Sequence, residues 1–166
     1  MQKNMILAID PGNEQSAYCM VERNTFRPMV FDKIQNTDLR EIILDPYYQD
    51  KVDHCVIERV ESYGMGVGRT IFDTCIWTGR FLEAADMAGI PTSLLPRRDV
   101  KMHLCGRTAA KDANVIAALK ERFGEKGTKA APGWFYGFRA DIWQAYALGV
   151  AWAELDKAET MPGRAV

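Results

Sequence analysis

Met5-Ile6-Leu7-Ala8-Ile9-Asp10-Pro11-Gly12-Asn13 is the stretch from which the fold is read. Met5 to Ile9 is an apolar run without polar alternation, which predicts a short strand buried on both faces. Asp10-Pro11-Gly12-Asn13 then supplies turn chemistry: a side-chain acceptor, a fixed φ and a residue free of Cβ constraints. Beyond the turn, Gln15 to Val21 predicts a returning strand and Pro28 to Ile34 a third, so the chain is expected to open as an antiparallel meander.

Farther along, the period changes. Asp38 to Tyr48 carries Leu39, Ile42 and Ile43 at helical spacing before Pro46, and Val52 to Val60 reads as a fourth, buried strand. Val67 to Ala88 keeps a helical period through Ile71, Phe72, Cys75, Ile76, Gly79, Leu82 and Ala85, with Gly89 placed to end it. Ile90 to Leu95, between Pro91 and Pro96, predicts a fifth strand, and Arg97 to Leu104 a helical turn or two. Thr108 is placed to cap a helix through Val115, Ile116, Leu119 and Phe123 that stops at Gly124. A glycine-rich loop from Gly127 to Gly137 precedes a last helix from about Asp141 to Lys157. The order βββαβαβαα predicts an α/β fold: a five-stranded mixed sheet, three antiparallel strands and then two parallel ones, flanked by helices. One domain over residues 1–160 is expected, with a disordered tail at 161–166.

Composition sets the outer bounds. The 166 residues are 48% hydrophobic and 26% charged, enough for one domain with a real core. No apolar stretch approaches the roughly 20 residues of a membrane-crossing helix, and the opening Met-Gln-Lys-Asn does not read as a secretory signal, so a cytoplasmic setting is expected. Cys19, Cys55, Cys75 and Cys105 are scattered without zinc-ligand spacing and read as reduced thiols. The formal net charge of −1 gives no global signal for nucleic acid, so any DNA-binding surface must be a local patch.

Three acids stand where strand or helix ends could gather them. Asp10 ends the first strand, Glu58 ends the fourth and Asp141 opens the last helix. Convergent carboxylates suit a hard cation such as magnesium, and paired ions of that kind serve phosphodiester hydrolysis. Each acid also has a plainer reading: Asp10 as a turn initiator, and Asp141 as a first-turn acid favoured by the helix dipole. Glu58 is harder to dismiss, because an acid following Cys55-Val56-Ile57 is costly to bury unless paired or metal-bound.

Four segments, in order, resemble the RuvC-type Holliday-junction resolvases: Ile6-Leu7-Ala8-Ile9-Asp10-Pro11-Gly12; Val56-Ile57-Glu58; Arg98-Asp99-Val100-Lys101 through Gly106 to Ala110-Lys111; and Asp141-Ile142-Trp143-Gln144-Ala145-Tyr146-Ala147-Leu148. The resemblance spans almost the whole chain. Ser62-Tyr63-Gly64-Met65 with Thr74 to Phe81 looks like the phage or prophage branch. The resemblance implies an RNase H-like fold, a homodimer, and paired nicking of four-way junctions that leaves 5′-phosphate and 3′-hydroxyl ends. It implies Asp10, Glu58 and Asp141 as metal-binding catalytic acids, two magnesium ions per site with manganese as a substitute, and Lys111 beside the scissile phosphate. The family's last helix carries a second acid where this chain has Gln144, which offers a metal a carbonyl oxygen without charge. Glu61 could replace it, although a loop acid is the simpler reading.

Arg97, Arg98, Lys101, Arg107 and Lys111 form the densest basic cluster and are expected to face DNA phosphates, with an ordinary solvated face as the alternative. Tyr63 in its glycine-flanked segment is the candidate wedge for the junction centre. Trp134-Phe135-Tyr136 is expected to pin a loop to the core, and Phe72, Ile76, Phe81 and Leu82 to fill the core and a dimer face. Two other functions compete: a junction-binding protein with little catalysis, and an actin-like or sugar-kinase-like ATPase, for which the chain is short and lacks a Gly-x-x-x-x-Gly-Lys loop.

Overall fold

The computed structural model describes residues 2–161. Three strands come first: β1 (Met5–Asp10), β2 (Gln15–Glu22) and β3 (Pro28–Gln35). Helices α1 (Asn36–Leu44) and α2 (Pro46–Gln49) lead to β4 (Val52–Arg59), α3 (Arg69–Met87) and β5 (Thr92–Pro96). Helices α4 (Arg97–Cys105), α5 (Asp112–Phe123) and α6 (Ile142–Thr160) complete the described chain. The five strands form one sheet in the order β3-β2-β1-β4-β5. β1 pairs antiparallel with β2 and β2 with β3, whereas β4 runs parallel to both β1 and β5. The expected mixed sheet is therefore present, with β1 at its centre.

Strand alternation sends side chains to two separate cores. Leu7, Ile9, Tyr18, Met20, Cys55 and Ile57 face α1 and α3, which cover them with Leu39, Ile43, Phe81, Ala84 and Ala85. Ile6, Ala8, Ala17, Cys19, Val21 and Val56 face α4, α5 and α6. Helix α6 lies close on that second face because its sheet side is small. A Cβ on Gly149 would stand 2.9 Å from Val21 Cγ2 and 3.2 Å from Ala8 Cβ. By the same alternation Asp10 and Glu58, two residues beyond Ala8 and Val56, belong to the α6 face.

Several expected boundaries move for local reasons. Helix α1 starts at Asn36, earlier than Asp38, because the buried Asn36 side chain is held by Ser16 and the Gly12 carbonyl. Pro46 splits the expected single helix, and Asp45 caps α2 by accepting from the Tyr47 backbone N–H at 2.9 Å. Thr108 does not cap α5. The helix begins four residues later at Asp112, where Asn114 Oδ1 accepts the Lys111 backbone N–H at 2.9 Å. The Gly127–Gly137 loop is anchored through Phe135, fully buried among Phe138, Trp143 and Tyr146, whereas Tyr136 is exposed. Residues 162–166 of the expected disordered tail lie outside the described residues. Among those described, no helix is long and apolar enough to cross a membrane, and all four cysteines are free thiols, two of them buried.

Candidate active site

The turn after β1 is built before the acids are. Gly12 donates its backbone N–H to Ser16 Oγ at 3.0 Å, Ser16 donates to Asn36 Oδ1 at 2.6 Å, and Asn36 Nδ2 donates to the Gly12 carbonyl at 2.9 Å. Ser16 and Asn36 are both 1% exposed, so this closed ring of hydrogen bonds satisfies polar groups that burial would otherwise penalise. No residue but glycine fits at position 12, where a Cβ would stand 2.1 Å from the Gln15 carbonyl oxygen. The ring fixes where β1 stops, and hence where Asp10 stands.

Parallel pairing places the second acid beside the first. Ile9 and Ile57 are partners in the β1–β4 ladder, so Asp10 and Glu58 follow as neighbours at the C-terminal strand ends. Each carboxyl therefore stands where its charge opposes ionisation of the other. Burial, first, and then the hydrogen bond and charge of Glu58 hold Asp10 well above the usual carboxylate range; Asp141 adds to the rise and Arg97 opposes it. The Glu58 side chain is only 15% exposed, and Arg97 Nη1 lies 3.7 Å from its Oε1.

Asp141 sits at the N-cap of α6, directly after Ala140 in a left-handed conformation (φ 45°). It is near enough to raise Asp10, but its carboxylate is engaged elsewhere: Lys33 Nζ stands 2.6 Å from Asp141 Oδ2. Gln144, one turn on, lines a small cleft with Glu58, Arg97, Val100 and Leu148. Glu61 turns away toward Arg98, 3.9 Å from its Nε. Among the described residues no three His, Cys, Asp or Glu side chains stand close enough together to hold a metal ion as they are. The donor set nonetheless suits a hard cation at Asp10 and Glu58, since two carboxylates side by side in a partly enclosed site repel each other unless one is protonated or a cation lies between them.

A concavity of about 470 Å³ opens beside Glu58, lined by Tyr63, Arg97, Arg98, Lys101, Thr108 and Ala109. Four of the residues expected to face DNA thus share one wall. Tyr63 is 54% exposed and, with Gly64, occupies a left-handed turn (φ 51° and 80°) closed by the Met65 N–H to the Ser62 carbonyl at 2.9 Å. Holding a bulky aromatic at positive φ costs about 1–2 kcal/mol, so the turn projects Tyr63 at the expense of stability. Arg107 and Lys111 are exposed and make no ion pair among the described residues; neither lines the concavity.

Sequence reading missed two residues that shape this site, Lys33 and Asp112, and for Arg97, expected at DNA, it missed the reach to Glu58. Lys33 holds Asp141, Arg97 reaches Glu58 as well as the basic wall, and Asp112 binds Arg97 Nη2 at 2.6 Å while standing 3.8 Å from Lys101 Nζ. For Asp112 a signal existed, an acid in the first turn of a helix directly after a basic segment. For Lys33 the chain offered only one cation in the middle of a strand.

No family model matches the chain, and no curated protein matches it by sequence. Solved structures do match. RuvC of Thermus thermophilus is similar over 94% of this chain and 97% of its own, with TM-score 0.73 and 18% identity. The same organism's RuvC in complex with a Holliday junction substrate has TM-score 0.75 and 17% identity over 95% and 97%. The yeast mitochondrial Holliday junction resolvase has TM-score 0.62 and 13% identity over 92% of this chain and 78% of its own. Sheet order, strand directions and these likenesses agree on one architecture: the chain has the RNase H-like fold, in the form that RuvC and the yeast resolvase share.

Proposed function

We propose that the chain is a structure-selective DNA endonuclease that resolves four-way junctions or other branched DNA by divalent-metal-dependent paired nicking. The observation that carries this reading is the side-by-side placement of Asp10 and Glu58 at adjacent strand ends, beside a wall of Arg97, Arg98 and Lys101. Likeness to a RuvC bound to a Holliday junction substrate supports branched DNA as the ligand class. A magnesium or manganese ion held by these acids would supply Lewis-acid activation for phosphodiester hydrolysis. The chain's own residues do the rest. Asp10 and Glu58 offer hard oxygens, Asp141 and Gln144 border them, and Arg98, Lys101 and Arg107 neutralise DNA phosphates so that affinity falls with salt. Lys111, exposed at the start of α5, is free to reach the scissile phosphate, and Tyr63 packs against a base at the branch.

Paired nicks require two copies. The outer face of α3 presents Phe72 (58% exposed) and Ile76 (61% exposed) around Cys75, apolar area of the kind that marks an association surface, and we assign it to a homodimer. The working site of the protein is the cytoplasm, where its thiols stay reduced.

Synthetic four-way junctions incubated with the protein and magnesium test the reading. The expected result is nicks bearing 5′-phosphate and 3′-hydroxyl ends, reduced on the order of a thousandfold by Asp10→Asn, the scale on which catalysis depends on a metal-holding electrostatic group. Undiminished nicking by Asp10→Asn, or no nicking by the parent chain, overturns it. A second reading, a branched-DNA-binding protein with weak catalysis, is favoured by the neutral Gln144 and by the Lys33–Asp141 pair. Appearance of cleavage only after Gln144→Asp would establish it.

A further inference from the structure

We infer that Lys33 is a built-in cation of the acid site, standing at Asp141 in place of a second divalent ion, so that each protomer loads one metal ion. The inference rests on the acid-site reading above and adds the number of ions and the residue that sets it. Lys33 is placed by register: it pairs with Ala17 across β2–β3, and Ala17 pairs with Asp10 across β1–β2. The three share the face toward α6, and the Ala17 methyl leaves the row open between the ammonium and the first acid. From there Lys33 Nζ reaches Asp141 Oδ2 at 2.6 Å, with the two side chains 28% and 49% exposed. Among the described residues this is the ion pair that Asp141 makes, and it engages one of its two carboxylate oxygens.

The far side of the site has the same character. Arg97 faces Glu58 at 3.7 Å, and the side chain one turn into α6, Gln144, adds no negative charge to the cleft it shares with Glu58. With Asp112, which pairs with Arg97 and Lys101, four carboxylates against two ammoniums and one guanidinium leave a single net negative charge. One divalent ion turns that into a single positive charge, which a scissile phosphodiester cancels. A second ion would leave a large positive excess in a partly enclosed site, where unbalanced charge is costly. An ammonium is a compact point charge able to contact a phosphate oxygen while retained by its carboxylate, so Lys33 supplies part of the positive charge that a second ion would.

Manganese binding, followed by the EPR signal of the free ion, tests this without recourse to activity. The parent chain is expected to bind one Mn²⁺ per protomer. Lys33→Met should free Asp141 and tighten binding about tenfold, the equivalent of one charge contact, and Lys33→Met with Gln144→Glu should bind two ions. Lys33→Arg, which keeps the charge, should return to one ion near parent affinity, a rescue that a purely structural role for Lys33 would not produce. Circular dichroism confirms that each variant is folded. Two ions of similar affinity on the parent chain, or a Lys33→Met variant unchanged in number and affinity while Asp10→Asn abolishes binding, overturns the role of Lys33 and leaves the acid site standing. Mn²⁺ binding untouched by Asp10→Asn overturns both.

Discussion

The two ends of the central sheet treat charge in opposite ways. At the end where β4 begins and α6 finishes, Arg23 holds Asp53 at 2.7 and 3.0 Å and Asp156 at 2.9 Å, and its guanidinium lies 5.0 Å from the Trp152 ring on which His54 stacks at 3.8 Å. Arg23, Asp53 and Asp156 each have a partner there. At the end where β1 and β4 finish and α6 begins, Asp10 and Glu58 stand side by side, and Asp141 adds to the charge that opposes ionisation of Asp10. One end is organised for stability; the other holds unfavourable electrostatics in reserve for a ligand that can relieve it. Perturbed carboxylates of this kind mark functional sites because folding alone gives no reason to assemble them.

Substitutions at the two ends, and between them, should separate these roles. The largest effect is expected midway, at Gly149, where α6 touches the sheet. Gly149→Val drives methyls into Val21 and Ala8 and should cost about 3 kcal/mol in urea unfolding, the upper range for overpacking. A cost under about 0.5 kcal/mol would mean that α6 can rise without penalty, and that the two ends are not rigidly connected. At the satisfied end, Arg23→Ala leaves Asp53 and Asp156 facing each other unmatched. A loss of about 2 kcal/mol is expected, below the full value of a buried pair because these side chains are partly solvated. Nicking should be unaffected.

Next comes the turn that sets the reserved end. Asn36→Ala opens the Gly12–Ser16–Asn36 ring and strands a buried hydroxyl and a carbonyl, at about 1.5 kcal/mol. Unlike Arg23→Ala it should also lower kcat for nicking, because it loosens the turn that places Asp10; unchanged kcat would detach the turn from the site. The smallest change in stability, and the only gain, is expected for Asp10→Asn without metal. A carboxyl whose pKa rises on folding binds its proton more tightly in the native state. Its stabilising contribution is therefore complete at low pH and is lost as pH climbs from the ordinary aspartate value, about 4, through the raised native one. Asp10→Asn removes that loss. Urea midpoints from pH 4 to pH 8 should diverge in favour of the variant as pH rises, and parallel curves would contradict the compression described here.

Much of this was legible in the chain and some of it could not be. The apolar run Met5 to Ile9 and the run ending at Ile57 announce buried strands, and the parallel register that sets Asp10 beside Glu58 follows once both lie central in the sheet. The shift of α5 from Thr108 to Asp112 was not readable, because Asn114 competes for the capping role through a side chain that only the folded turn aligns. Lys33 was invisible for a related reason. Its partner lies 108 residues away, and nothing local distinguishes a strand lysine facing solvent from one facing a carboxylate. The basic wall was half readable: Arg97, Arg98 and Lys101 come together on α4, whereas Arg107 and Lys111, close in sequence, fall outside the concavity once the chain turns at Gly106, the left-handed cap of α4.

Thermal unfolding with increasing magnesium addresses the central claim most directly, since a ligand that binds the folded state raises Tm with the logarithm of its concentration above Kd. The parent chain should gain stability with magnesium at neutral pH, while Asp10→Asn, already relieved of the compressed pair, should show little response. Equal shifts in both proteins, or none in either, would contradict the view that Asp10 and Glu58 are held together for a cation.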